Sequence, residues 1–247
     1  MKILVNGATG NTGRKLVAEL INRGHHVTAI VRSPHKLPLE IRDSDQLSVI
    51  HESVLDLSNK EIAHCVKGCG AVASCLGHSM SAKGIWGAPR RLVAEATRRF
   101  CRAIKKNNSN TPTKFVLMNT AGFHNPDQDQ QISFAQKFVL ALLRLTLPPH
   151  ADNEEAANYL RREIGQNDQS IEWAVVRPDN LTDDNRISEY EVYDSPNRSA
   201  LFDAGETSRI NVAHFMADLI ADDTIWDKWR GQMPVIYNKT SNPISGA

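Results

Sequence analysis

The sequence predicts an α/β fold, a doubly wound parallel sheet with helices on both faces, and three observations predict it. Short apolar runs of strand length alternate with amphipathic stretches of helix length along the whole chain, the pattern of parallel strands joined by crossover helices. The clearest strands, KILV at 2–5, VTAIV at 27–31 and AVASCL at 71–76, are continuous apolar runs, as expected of strands buried on both faces. The first of them runs straight into VNGATGNTGR at 5–14, three glycines at three-residue spacing that open onto a helix.

That helix follows from Leu16, Val17, Leu20 and Ile21 at helical spacing, with Gly24 as its stop. Next come strand LSVIH at 47–51, a helix near 59–67, the strand at 71–76 and a long helix over about 86–107. Strand KFVLMN at 114–119 leads into helices over 130–145 and 152–164, then strand IEWAVVRP at 171–178. After Arg177-Pro178 the pattern becomes loop-rich to about 208, and a helix at 212–222 and a strand at 233–238 finish the chain. One domain over 1–247 is expected, with the substrate side built mainly by 178–210, because ligands of such sheets lie beyond the C-terminal strand ends.

Strand, glycine turn, helix and strand within about thirty residues form the unit that binds a dinucleotide in a Rossmann fold. Gly7 permits the sharp turn, Gly10 lets backbone approach a pyrophosphate, and Gly13 lets helix and strand pack closely. The helix N-terminus then offers free N–H groups to the phosphates. An NAD site places an acid at the end of the second strand; here IVRSPHK puts Arg32 there, with Ser33 beside it and Lys36 nearby. A guanidinium cannot accept from a ribose hydroxyl but pairs with a phosphate, so the expected cofactor is NADP (NADPH). Arg14, in the first helical turn, is placed to approach the same phosphate.

A formal net charge of +1 over 247 residues gives no electrostatic case for nucleic acid or an anionic membrane. The most apolar helix candidate, FAQKFVLALLRLTLPP, carries Lys137 and Arg144 and is too short to span a bilayer. The N-terminus enters a strand directly, so no signal peptide is read, and a cytoplasmic location is expected. Cys65, Cys69, Cys75 and Cys101 contain no Cys-x-x-Cys pair, so reduced thiols and no metal site are expected.

The ordered set GATGNTG, VRSPHKLP, LDL at 55–57, CLG at 75–77, NTAG at 119–122, VVRPDNLTD at 175–183 and SRINVAHFMADLI at 208–220 resembles an atypical short-chain dehydrogenase/reductase. It is most similar to the NAD(P)H-binding group that includes NmrA-like proteins and flavin reductase/biliverdin IXβ reductase, and the likeness covers nearly the whole chain. The resemblance implies that Gly7, Thr9, Gly10, Asn11, Thr12 and Gly13 cradle the pyrophosphate and that Arg32 meets the 2′-phosphate. It implies Asp56 and Leu57 beside the adenine, Leu76 and Gly77 beside the ribose, and Thr120 near the nicotinamide as the catalytic hydroxyl. Arg177, Pro178 and Leu181 are implied to close over that ring. The plain alternatives are that Asp56 caps a helix and that Thr120 satisfies local backbone. Two departures stand out: Asn211 replaces the aspartate of the group's RxDVA motif, and a histidine of some flavin reductases has no counterpart, His150 and Asn153 being the nearest residues.

Typical short-chain dehydrogenases use a tyrosine with a lysine four residues on as an acid–base pair. Here the residues four beyond Tyr159, Tyr190, Tyr193 and Tyr237 are Glu163, Asp194, Asn197 and Ser241, so no such dyad exists. Two functions fit. One is an NADPH-dependent reductase of a conjugated small-molecule acceptor of flavin, quinone or bilin type, which takes hydride with little help from a protein acid. The other is a non-catalytic NADP-binding sensor of the NmrA-like kind, acting through a regulatory protein partner. Trp86, in a glycine-bearing loop after the fourth strand, is the candidate to stack on a planar acceptor. The Arg90-Arg91 and Arg98-Arg99 helix offers a solvated face or a homodimer contact.

Overall fold

The computed structural model describes residues 1–78, 87–128, 147–198 and 203–239. The expected helix over 130–145 and Trp86 lie outside the described residues.

Ten strands are described: β1 (Lys2–Asn6), β2 (His26–Val31), β3 (Leu47–His51), β4 (Ala71–Ser74), β5 (Thr113–Met118), β6 (Ile171–Pro178), β7 (Asn180–Thr182), β8 (Tyr190–Tyr193), β9 (Glu206–Ser208) and β10 (Val235–Asn238). Eight form one sheet in the order β3-β2-β1-β4-β5-β6-β10-β8, and β7 pairs with β9 in a small second sheet. Every pair in the large sheet is parallel except β10 with the edge strand β8. Strand order reverses between β1 and β4, whose register sets Asn6 opposite Ser74. That switch point opens a crevice beyond the strand ends.

The described α-helices are α1 (Asn11–Asn22), a single turn α2 (Leu39–Arg42), α3 (Asn59–Val66), α4 (Leu92–Asn107), α5 (Pro148–Tyr159), α6 (Arg209–Ala221) and α7 (Asp223–Trp229). The predicted long helix begins at Leu92 rather than near 86. The predicted 152–164 helix starts earlier, at Pro148, where proline suits the first helical turn, and passes into a π-helical turn over Leu160–Ile164.

Successive residues of each central strand feed opposite faces, as the two-residue period requires. Ile3 and Val5 pack with Leu16, Leu20, Phe215 and Trp226 of α1, α6 and α7. Leu4 packs on the other face with Ile62, Phe100 and Leu160 of the α3, α4 and α5 side. The strands are thus buried on both sides, which is why they read as unbroken apolar runs. Among the described residues no helix is long and apolar enough to cross a membrane.

Candidate functional site

A cleft of about 500 Å³ lies at the switch point, bordered by the β1–α1 turn, the ends of β2 and β4, the segment after β3, and the residues Met118, Leu181 and Arg209. Its floor is the glycine turn. Gly7 has φ +77, and a Cβ there would lie 2.6 Å from the Cys75 carbonyl carbon. A Cβ on Gly13 would lie 2.1 Å from the Gly7 oxygen, so neither position admits a side chain. Gly10 differs: its backbone is extended, with φ −71, and an added Cβ meets only the Gly7 oxygen at 3.2 Å. The protein itself therefore demands Gly7 and Gly13, whereas the space kept by Gly10 belongs to the cleft.

The start of α1 is open. Gly10 provides no side-chain cap and the first turn holds no acid, leaving backbone N–H groups and the positive dipole end toward the cleft. Beneath them Asn6, 2% exposed, uses Oδ1 to accept from the Gly7 N–H at 3.1 Å, while its Nδ2 has no partner among the described residues. A buried orphan donor is costly without a ligand or water to accept from it. Together with the open helix end, it fits the phosphates of a dinucleotide.

At one end of the cleft Arg32 and Lys36 stand on the wall. No ion pair among the described residues engages either. Lys36 arrives there through the single turn Pro34–Lys36, closed by its N–H on the Ser33 carbonyl at 3.1 Å. Ser33 itself does not border the cleft, and neither does Arg14. At the other end, Leu181 and Arg209 border the cleft. The loop following β7 is tied down on both sides, by Arg209 Nη1 to Asp183 Oδ2 at 2.9 Å and by Lys15 Nζ donating to the Asp184 carbonyl at 3.3 Å.

Of the residues implied for the cofactor, Gly7, Thr9, Gly10, Asn11, Thr12, Arg32, Leu76, Gly77 and Leu181 line the cleft. Gly13 stands behind it as the packing glycine. Others are elsewhere. Asp56 and Leu57 are replaced on the wall by Glu52, Ser53 and Val54. The chain turns back at Ser53, whose carbonyl accepts from the N–H groups of both Asp56 and Leu57, leaving Asp56 exposed and Leu57 in the core. Arg177 does not reach the cleft: it is fully buried, donating to the carbonyls of Met233 at 2.6 Å, Phe123 at 3.0 Å and Asp194 at 3.3 Å. Its charge is spent on closing loop carbonyls around β6 and β10, and Pro178 is buried beside it. Thr120 lies past the end of β5, off the cleft wall, with Oγ1 accepting from the Gly122 N–H at 3.2 Å; Met118 represents that strand in the cleft.

The four tyrosines are also off the wall. Tyr190 bonds His214 at 2.8 Å and Asp218 at 3.1 Å, Tyr193 donates to Glu191, Arg98 covers the Tyr159 ring, and Tyr237 is buried against Gly205. Cys75 does border the cleft, but burial pushes its thiol up to about 12, so it stays neutral.

The cleft residues that sequence reasoning missed include Asn6, Arg209 and His78. His78 directly follows Gly77, and its Nε2 lies 2.7 Å from Oδ2 of Asp152 on α5. Asp152 is fully buried at the side chain and accepts from the first turn of α4, through Oδ2 from Val93 N–H at 2.8 Å and Oδ1 from Ala94 N–H at 2.9 Å. Adjacency to the glycine motif signals Asn6, and Arg209 sits inside the SRINVAHF motif. His78 and Asp152 are separated by 74 residues, and nothing local connects them.

Matches to known proteins agree with this geometry. The profile of a family described as NAD(P)H-binding matches residues 7–223. An Arabidopsis thaliana protein described as uncharacterised and chloroplastic is 26% identical over 183 residues, 74% of this chain but only 60% of that protein. Among solved structures, a short-chain dehydrogenase/reductase from Veillonella parvula in complex with NADP has TM-score 0.67 and 19% identity, over 100% of this chain and 96% of that one. A candidate NADH-flavin reductase from Streptococcus pneumoniae has TM-score 0.64 and 20% identity, over 97% of this chain and all of the other. An oxidoreductase from Lactococcus lactis has TM-score 0.67 and 18% identity, over 97% and 92%. At these identities the solved structures establish the shared fold.

Proposed function

The chain belongs to the NAD(P)H-binding family, and from that premise we propose that it is an NADPH-dependent reductase of a conjugated acceptor of flavin, quinone or bilin type. The observation that carries the choice of NADPH is the pair Arg32 and Lys36 on the cleft wall, where an NAD site would present an acid. Two cations that form no ion pair among the described residues suit a 2′-phosphate there. The open start of α1 and the orphan Asn6 Nδ2 hold the diphosphate, Ser53 and Val54 flank the adenine, and Met118 with Leu181 bounds the nicotinamide end.

Bound NADPH supplies the hydride. The chain's part is to orient it: the glycine turn fixes the phosphates, and the Arg209–Asp183 and Lys15–Asp184 ties hold Leu181 over the reactive end. An acceptor that delocalises the incoming charge is favoured because no tyrosine is among the described residues that line the cleft. The NADP-bound and flavin-reductase-like solved neighbours support this reading, and four buried free thiols suit a reducing compartment.

The test is a fluorescence titration with NADPH and NADH, followed by turnover with a panel of flavins, quinones and bilins. NADPH should bind at least tenfold more tightly, and at least one acceptor class should be reduced. Equal affinities would remove the cofactor assignment. Tight NADPH binding without turnover on any acceptor would favour the second reading, a sensor that signals cofactor occupancy to a partner protein.

A further inference from the structure

We propose that Arg209 binds an anionic group of the acceptor, so that the substrate is a conjugated molecule carrying a carboxylate or a phosphate. The proposal rests on the reductase reading and narrows its substrate class.

Arg209 borders the cleft together with Met118 and Leu181, and the fold holds its backbone in place. It opens α6 directly after β9, where Ser208 stands opposite Thr182 in register. Ser208 is fully buried. Its N–H donates to Asn238 Oδ1 at 2.9 Å, and its Oγ accepts from the Asn211 N–H at 3.3 Å. The Arg209 side chain is only 22% exposed, and its one ion pair among the described residues joins Nη1 to Asp183 Oδ2 at 2.9 Å. Nε and Nη2 make no hydrogen bond to any described residue. That leaves the edge of the guanidinium that can take two oxygens of a carboxylate or a phosphate.

The loop after β7 has other anchors besides this arginine. Lys15 binds the Asp184 carbonyl, and Asn211 bonds Ser188 twice, accepting from its N–H at 3.0 Å and donating to its Oγ at 2.9 Å. Helix energetics do not call for an arginine either. A cation in the first turn opposes the helix dipole, and α6 has no acid there to offset it. An anion bound beside Arg209 removes that opposition. Asp183, 56% exposed, is the competitor for it, and an ion pair with so exposed a carboxylate is weak.

The cofactor's own anions have other places. In the proposed binding mode the glycine turn takes the diphosphate, and Arg32 with Lys36 takes the 2′-phosphate. Arg32 directly follows β2, whereas β7 follows β6, which stands four strands from β2 in the sheet. At the usual strand spacing that is roughly 19 Å. The cation beside β7 is therefore left for the second ligand.

The test uses two acceptor pairs, each differing by one anion. Flavin mononucleotide with riboflavin probes the phosphate, and a naphthoquinone carboxylate with its methyl ester probes the carboxylate. The wild type should prefer the anionic member of at least one pair by about tenfold or more in kcat/KM, the scale of one charge-assisted contact. The pair that shows the preference names the anion. Arg209→Gln should cut that preference to about threefold or less. Equal kcat/KM within both pairs, or a preference that survives in folded Arg209→Gln, overturns the inference and leaves the reductase reading standing. A loss of NADPH affinity in Arg209→Gln larger than its loss of preference does the same, since it assigns the arginine to the cofactor. If Arg209→Gln fails to fold, Asp183→Asn decides. Removing the competing carboxylate should raise the preference about threefold, and an unchanged preference overturns the inference. A wild type that reduces none of the four compounds also overturns it. The reductase reading falls with it only when no flavin, quinone or bilin of the wider panel is reduced.

Discussion

Helices α1 and α3 begin in opposite ways. At α3, Ser58 Oγ accepts from the Glu61 N–H at 3.3 Å and the Ser58 N–H donates to Glu61 Oε2 at 2.7 Å, a complete capping box. At α1, Gly10 caps nothing and no acid stands in the first turn. The orphan N–H groups are the same in both. One helix satisfies them with its own side chains, the other leaves them for a ligand. A helix start that forgoes the usual stabilisation of about 1 kcal/mol from a side-chain cap marks where the chain serves binding rather than folding.

The largest expected effect lies in the glycines that shape the open end. Gly10→Val should abolish NADPH binding, measured by fluorescence titration, while circular dichroism and the denaturation midpoint stay near wild type, because the new side chain enters cleft space. Gly13→Val should instead lose the fold of the turn, since its Cβ would overlap the Gly7 oxygen. Normal NADPH affinity in Gly10→Val would reduce the open end to an ordinary turn.

Next in size is Arg32→Asp. Replacing a cation by an anion on the wall should weaken NADPH by a few kcal/mol, about a hundredfold or more in Kd. NADH should bind as well as before or better, since the new carboxylate accepts from a ribose hydroxyl. Parallel losses for both cofactors would place the 2′-phosphate elsewhere.

The two ends also differ in how far the sequence reveals them. The glycine turn and the place of Arg32 on the cleft wall were legible because each position follows from a short local motif and a backbone constraint. Ser58 and Glu61 form an equally local pair. Asp56 and Leu57 stand off the cleft that Glu52, Ser53 and Val54 line, since the turn at Ser53 depends on backbone bonds that residue types do not announce. Arg177 reads like a binding arginine next to proline, but tertiary folding surrounds it with the carbonyls of Met233, Phe123 and Asp194, all distant in sequence. His78 and Asp152 were invisible for the same reason. What a single segment encodes can be read; what three segments build together has to be seen folded.

A third change sets folding against binding within α1 itself. Asn11→Asp places an acid in the first turn, where it interacts favourably with the helix dipole by about 0.3–1 kcal/mol. Asn11 is exposed and borders the cleft, so the same charge faces the cofactor phosphates. Urea denaturation should show a slightly more stable protein and titration an NADPH affinity about tenfold weaker, about 1.4 kcal/mol. Stabilisation without loss of affinity would show that the phosphates do not approach this turn.

The smallest effect belongs to the closed end. Ser58→Ala should cost about 1 kcal/mol of stability at neutral pH and leave NADPH affinity unchanged, because α3 starts away from the cleft wall. Its pH dependence gives a sharper check. Hydrogen bonding from Ser58, its side chain first and its backbone N–H second, holds the Glu61 carboxyl below its ordinary value of 4.5. A carboxyl lowered in the folded state binds protons more readily when unfolded, so its contribution is present above that ordinary value and fades as pH falls through the folded one. The stability gap between wild type and Ser58→Ala, read from urea midpoints, should therefore be widest at pH 7 and narrow below pH 4.5 as Glu61 protonates. A gap that stays constant down to pH 3 would mean that Glu61 takes no part as a carboxylate and the cap rests on the Ser58 hydroxyl alone.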